Sequence, residues 1–196
     1  MQIIEQKTVI RKHIKELKFT FDKNQLEQYS LQICNKVAQL EQFHKAKYIL
    51  LYSSLPYEVS TVSLFKFAKQ GKILVLPVVV GEDLILKEYI PSKLKVGYMN
   101  ILEPSQEEII SPELIDLAIV PGVAFDSNCN RMGRGKGYYD RLLLQMQCAK
   151  IGIGFHFQIV DKVPTDNNDI KMDLVITDCN VYSCTQGCQE LCSSSQ

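Results

Sequence analysis

LAIVPGVAFDSNCNRMGRGKGYYDRLLL, residues 117–144, decides the architecture. Leu117 to Val120 is an uninterrupted apolar run, as a buried strand requires, and Pro121-Gly122 stops it. A polar loop follows, then Gly133, Gly135 and Gly137, then an apolar helical pattern that begins near Tyr138. Strand, loop, glycine-rich turn and helix in this order predict an α/β unit with its ligand beyond the carboxyl end of the strand. The glycines let backbone N–H groups turn inward, and Arg131, Arg134 and Lys136 alternate with them. Such a concave set of amides and cations suits a polyphosphate, because each charge-assisted hydrogen bond contributes roughly 1.5–3 kcal/mol. The competing reading is a basic surface loop that only joins strand to helix. Two familiar phosphate motifs do not fit: Gly137 stands where a P-loop needs Ser or Thr, and Tyr138 where the dinucleotide fingerprint needs its last glycine.

Upstream, Tyr48 to Ser54 is a short β-rich run that reads as a central strand, with Glu58 just past its carboxyl end. Position alone leaves Glu58 equally a ligand-crevice residue and a first-turn acid of the helix predicted over 60–70. Lys72–Val80 reads as a second buried strand, and Leu84–Ile90 alternates enough to be an antiparallel edge strand after the Gly81-Glu82-Asp83 turn. Residues 91–113, with Pro91, Pro104 and Pro112, read as an irregular crossover or lid. Before the first strand come two helices. The first, Ile3 to Leu17, carries Lys7 and Arg11 four apart on one face, either a shared anion clamp or a solvated face. The second, capped by Asp22, places Leu26, Tyr29, Ile33, Val37 and Leu40 along one stripe as far as about Phe43.

Downstream, Lys150–Phe157 reads as a strand in which Gly152 and Gly154 permit close backbone approach, with His156 as a strand histidine rather than a catalyst. Leu174–Thr177 is the last predicted strand. Asp140 and Asp169 are both single carboxylates close to the proposed phosphate loop, as a magnesium ion held by one or two carboxylates and phosphate oxygens requires; they read also as a first-turn helix acid and a turn former. Residues 1–180 are expected to form a single α/β domain: an open, mostly parallel, Rossmann-like three-layer sheet with an antiparallel edge strand. Residues 181–196, rich in Cys, Ser and Gln, are expected to be a disordered tail.

Lys plus Arg and Asp plus Glu each number 22, so nothing beyond the local basic loop favours nucleic acid or an anionic membrane. Small-molecule partners and a monomer are expected. There is no membrane-span-length apolar run, Glu5 and Glu16 interrupt the start, and an odd count of 7 cysteines suits reduced thiols; these point to the cytoplasm.

The run PGVAFDSNCNRMGRGKGYYDRLL resembles the signature of 5-formyltetrahydrofolate cyclo-ligases, also called methenyltetrahydrofolate synthetases. Lys7 with Arg11, Glu58 and the segment Asn168 to Asp173 follow the family's order, and the likeness extends to about Asp178. The resemblance implies ATP- and Mg2+-dependent closure of 5-formyltetrahydrofolate, free or polyglutamylated, to 5,10-methenyltetrahydrofolate. By carry-over, Lys7, Arg11, Arg131, Gly133, Arg134, Gly135, Lys136, Gly137, Tyr138 and Tyr139 hold ATP. Ser53, Glu58 and residues 134–138 meet the folate, with Lys136, Arg134 and Tyr138 catalytic, and Asp140 and Asp169 hold magnesium. Three departures stand out: Cys129 replaces a loop glycine, Met132 a leucine, and Ser53 an apolar pocket residue of some relatives. The rival classes are a non-catalytic nucleotide-binding module and a sugar-phosphate-binding α/β protein.

Overall fold

A computed structural model describes residues 2–68, 71–97 and 102–184. Two helices open the chain, α1 (Ile3–Lys18) and α2 (Lys23–Ala38), and a short α3 (Glu41–Lys45) leads into β1 (Tyr48–Leu50). After α4 (Val62–Phe67) come β2 (Ile73–Val80) and β3 (Asp83–Glu88), then the small pair β4 (Leu94–Val96) and β5 (Leu102–Pro104). The motif itself contains β6 (Leu117–Pro121), the hairpin β7 (Ala124–Phe125) and β8 (Arg131–Met132), and α5 (Tyr138–Leu143). The remaining strands are β9 (Ala149–Ile153), β10 (Leu174–Ile176) and β11 (Val181–Ser183).

The seven-stranded sheet runs β11-β10-β9-β6-β1-β2-β3. Its five inner strands are parallel, and both edges, β3 and β11, are antiparallel. The β3 edge is the expected one. The β11 edge corrects the tail expectation: Val181–Ser183 pairs with Leu174–Ile176, so ordered structure continues past residue 180. The rest of the expected tail, 185–196, lies outside the described residues.

The apolar run of β6 is continuous because the strand faces a core on both sides. Leu117 and Ile119 enter one cluster with Ile33, Val37 and Leu64 of α2 and α4; Ala118 and Val120 enter the other with Phe125, Leu142 and Leu143. Successive side chains of a strand alternate faces, so a strand covered on both has no polar phase. Gly152 is the close approach expected on β9: a Cβ there would lie 2.6 Å from the Phe125 ring.

Asp22 caps α2 as read, accepting from Gln25 N at 2.9 Å. That helix stops at Ala38 rather than near Phe43. The chain turns so that α3 buries Phe43, and Lys72 Nζ then donates to the carbonyls of Phe43, His44 and Ala46 at 2.8, 2.9 and 2.6 Å. Of the helix expected over 60–70, the described residues form Val62–Phe67, and 69–70 lie outside them; the strand expected over 150–157 ends at Ile153, with His156 in a 3-10 turn beyond it. The irregular stretch 91–113 contains the β4–β5 pair and a 3-10 turn at Pro112–Leu114.

Topology fixes where a ligand can bind. From β1 the chain builds β2 on one side, then returns to place β6 on the other, so β1 and β6 are neighbours whose connections diverge. Such a switch point leaves a crevice past the carboxyl ends of the two strands.

Candidate functional site

That crevice holds a cavity of about 340 Å³. Ser53 and Glu58 enter from the segment after β1, Gly122 and Val123 from that after β6, and Gly133, Arg134, Lys136 and Gly137 from the glycine loop. Tyr138, Tyr139 and Asp140 of α5 and the buried Arg131 complete the sequence-derived set in its wall. Lys7, Arg11, Gly135 and Asp169 do not line it.

Several contacts give the glycine loop its shape. Gly135 and Gly137 have φ of +98° and +68°, the left-handed region that L side chains avoid, and at Gly137 a Cβ would also lie 2.8 Å from Arg141 Nη1. Arg11 Nε donates to Gly133 O at 3.1 Å, so α1 holds the loop from outside. Arg141 donates to Lys136 O at 3.2 Å, to Asp83 Oδ1 at 3.1 Å and to Glu82 O, and Tyr138 Oη reaches Gly81 O at 3.3 Å. The turn between β2 and β3 is thereby fastened to the start of α5. With only six residues, α5 contributes a smaller dipole than the sequence pattern suggests, and the cations carry more of the attraction for an anion.

The cations differ in what they already touch. Arg131, only 2% exposed at its side chain, is paired with Asp140 at 2.7 Å and donates to Pro121 O at 3.1 Å. Its guanidinium also lies 5.7 Å from the Tyr139 ring centroid. Burial, reinforced by the Glu58 charge, pushes the Tyr139 hydroxyl pKa up and keeps it neutral. Arg134 is paired with Glu58 at 2.6 Å. Among the described residues no carboxylate pairs with Lys136, which is exposed at the cavity wall.

Lys7 and Asp169, expected at phosphate and metal, meet each other at 2.6 Å, with Asp166 3.0 Å from Lys7. Burial alone would lower the Lys7 pKa, but the hydrogen bonds to Asp169 and Asp166 outweigh it and the net shift is upward. Asp140 Oδ1 accepts from Arg131 and, at 3.4 Å, from Ile170 N, which ties the backbone next to Asp169 to the first turn of α5.

Three contributions were not read from the sequence. Pro77 and Val79 of β2 and Leu84 of β3 form an apolar wall. Pro77 lies beyond Val75, the last residue of β2 in register with β1, and a proline inside a strand was the available signal. Asp126, fully buried, accepts from Asn128 N, Asn130 N, Asn130 Nδ2 and Val163 N at 2.9–3.0 Å and organises the β7–β8 turn. Gln158 Nε2 donates to Gly122 O and Val123 O, both at 2.9 Å, and so fixes the cavity floor. Within the β7–β8 turn Cys129 adopts φ +64°, the conformation that a glycine would take without strain.

The model of the 5-formyltetrahydrofolate cyclo-ligase family matches residues 3–178. The chain belongs to that family. A probable 5-formyltetrahydrofolate cyclo-ligase of Schizosaccharomyces pombe is 32% identical over 173 residues, 78% of this chain and 85% of that one. The cyclo-ligase of Mus musculus is 34% identical over 165 residues, 75% of this chain and 81% of the relative. Among solved structures, the 5,10-methenyltetrahydrofolate synthetase of Aquifex aeolicus superposes with a TM-score of 0.84 at 33% identity, covering 96% of this chain and 99% of that one. These cyclo-ligase relatives are matched over most of their length, and the match spans both the switch-point crevice and the α1 residues that hold its loop.

Proposed function

We propose that the protein closes 5-formyltetrahydrofolate to 5,10-methenyltetrahydrofolate at the expense of ATP. The carrying observation is the pairing, across one cavity, of a carboxylate from the β1 end with a cationic glycine loop from the β6 end. A flat heterocycle with amide-like donors suits the Glu58 side and the apolar wall of Pro77, Val79 and Leu84; a polyphosphate suits the loop.

The formamide oxygen is a poor leaving group, so the reaction first transfers the γ-phosphoryl group to it and releases ADP. N10 then attacks the activated carbon, loses its proton, and phosphate departs with the former formyl oxygen. Catalysis of both steps is positioning and charge stabilisation. Lys136, unpaired by carboxylates among the described residues, is free to follow the charge that moves with the phosphoryl group. Arg134 leaves Glu58 to bind phosphate as the pterin takes its place. Tyr138 orients the loop through Gly81, and Arg131 positions Asp140. Lys7 and Arg11 act through the loop and through Asp169.

Magnesium fits Asp140, whose carboxylate lies in the cavity wall with Oδ1 engaged by protein. Asp169 would have to share its carboxylate with Lys7. Bound there, the ion would neutralise charge on the β- and γ-phosphates. A cytosolic monomer completes the proposal; the free thiols of Cys34, Cys129, Cys148, Cys179 and Cys184 accord with a reducing compartment, and no helix among the described residues is long and apolar enough to cross a membrane.

The test is direct. Protein incubated with 5-formyltetrahydrofolate and MgATP should develop methenyl absorbance, and omission of ATP or addition of a chelator should abolish it. Folded protein that forms no product under complete conditions overturns the assignment.

A further inference from the structure

A second cluster of chemically versatile side chains lies away from the cavity, where β9 and β10 end side by side. The turn after β9 carries His156, and the turn after β10 carries Asp178 and Cys179. His156 Nδ1 is 2.7 Å from Asp178 Oδ2, Cys179 Sγ is 3.4 Å from the same oxygen, and the ligand atoms of all three residues lie within 4.8 Å of one another. None of the three lines the cavity.

We propose that His156, Asp178 and Cys179 bind one divalent cation of the zinc type. A tetrahedral zinc ion holds nitrogen and oxygen at about 2.0–2.1 Å and sulfur at about 2.3 Å, which separates ligand atoms by roughly 3.3–3.6 Å. The sulfur–oxygen distance already matches. The ring nitrogen and carboxylate oxygen, 2.7 Å apart, need to part by about 0.6 Å, and the ring and sulfur, within 4.8 Å, to settle at about 3.5 Å; small χ rotations of a half-buried histidine and an exposed cysteine supply both. A thiolate, an imidazole and a carboxylate together select a borderline-soft ion over magnesium or calcium, so this site differs in chemistry from the phosphate cavity.

The surroundings are built around these ligands. Edge-on contacts with Phe21, Tyr29 and Phe157, at centroid distances of 5.7, 5.4 and 5.6 Å, keep the His156 ring over this turn. Asp178 keeps 2% side-chain exposure, and its Oδ1 accepts from His156 N at 2.8 Å, which orients Oδ2 toward the other two ligands. Lys36 Nζ, donating to Thr177 O at 2.9 Å and Asp178 O at 2.6 Å, holds the turn that carries two of them. Its charge opposes a cation, so affinity should fall below that of a closed four-ligand site. A water completes the coordination. Binding exchanges the Cys179 thiol proton, and the ring proton where present, for the metal. Cys179 Sγ donates to Asp178, not to the ring, which argues against a histidine-activated nucleophile.

Cobalt(II) is the probe, used on the full chain with Cys184, Cys188 and Cys192 changed to Ser so that these thiols cannot contribute. One equivalent should bind and give the charge-transfer absorption of a cobalt–thiolate bond, and zinc should displace it. Cys179→Ser, at an exposed position, should abolish the band, and both it and His156→Gln should weaken binding by at least about tenfold. A missing band in the Ser-substituted chain, a band that survives Cys179→Ser, or unchanged affinity in His156→Gln would overturn the site. Turnover of 5-formyltetrahydrofolate with MgATP should be the same in Cys179→Ser as in the parent, which separates this test from that of the cavity.

Discussion

Arg134 turns its guanidinium onto Glu58, with Nη2 at 2.6 Å and Nε at 3.2 Å from the single oxygen Oε1. The other carboxylate oxygen accepts Leu55 N at 2.9 Å. The resemblance gives Glu58 to the folate and Arg134 to both the folate and ATP, yet here the two occupy each other. The Glu58 side chain is 11% exposed and that of Arg134 50%, so the arginine is the partner free to swing. In the proposed reaction, ligand entry would exchange this one ion pair for two charge-assisted contacts.

Glu58→Gln should weaken folate binding by about tenfold or more, the equivalent of one charge-assisted hydrogen bond, while ATP binding changes little. Calorimetric titration of each ligand separates the two. Equal losses would mean that Glu58 serves only to brace Leu55 and Arg134.

Arg131→Met should destabilise the fold by about 3 kcal/mol, because it strips a nearly buried carboxylate of its partner and leaves Pro121 O without its donor. Arg131→Lys should recover part of this, since one ammonium cannot reproduce a planar fork that reaches both acceptors. Urea denaturation measures both. A loss within about 0.5 kcal/mol would show that Arg131 is held by its ligand and not by the fold.

The bridge from Lys7 to the 166–169 turn sets a pH dependence. Hydrogen bonds from Asn168 N and Lys7 lower the Asp166 pKa below its ordinary 3.8, so its contribution is present above that value and is lost as pH falls through the depressed one. The Lys7 pKa is raised above 10.5, so its contribution is complete below that value and is lost as pH climbs through the raised one. Lys7→Met should cost about 1 kcal/mol across the neutral range, the deficit shrinking at both extremes. Urea midpoints from acid to alkaline pH check this; a deficit independent of pH would assign the loss to packing.

Local patterns carried much of this molecule. The unbroken apolar phase of Leu117–Val120 announces a strand covered on both faces, and the Asp22 cap and the Gly81–Asp83 turn work within a few residues of chain. Glycine spacing at 133, 135 and 137 marks the loop because two of these positions need positive φ. Pairings across the chain were not legible. Lys7 meets Asp169 over 162 residues and Arg134 meets Glu58 over 76, and nothing in either neighbourhood names the other. Val181–Ser183 lay hidden for a different reason: three residues in a Cys- and Ser-rich context have no strand signature until Leu174–Ile176 supplies an edge.

Lys136 separates catalysis from binding. Arg131 is spent on Asp140 and Arg134 on Glu58, whereas no carboxylate among the described residues pairs with Lys136, and its neighbours Gly135 and Gly137 put no Cβ in its way. Its ammonium can then move with the phosphoryl group without first breaking an ion pair. If it acts chiefly in the transition state, Lys136→Ala should lower kcat by about a hundred- to a thousand-fold, roughly 2.7–4 kcal/mol, as for other preorganised charge stabilisers. ATP affinity should fall far less, because Arg134 and the loop amides remain. Lys136→Arg keeps the charge but changes its reach, and should restore binding more fully than turnover. Steady-state kinetics with ATP varied at saturating 5-formyltetrahydrofolate distinguish the cases: a raised KM for ATP with kcat intact would make Lys136 a uniform binding residue and move the catalytic burden to Arg134.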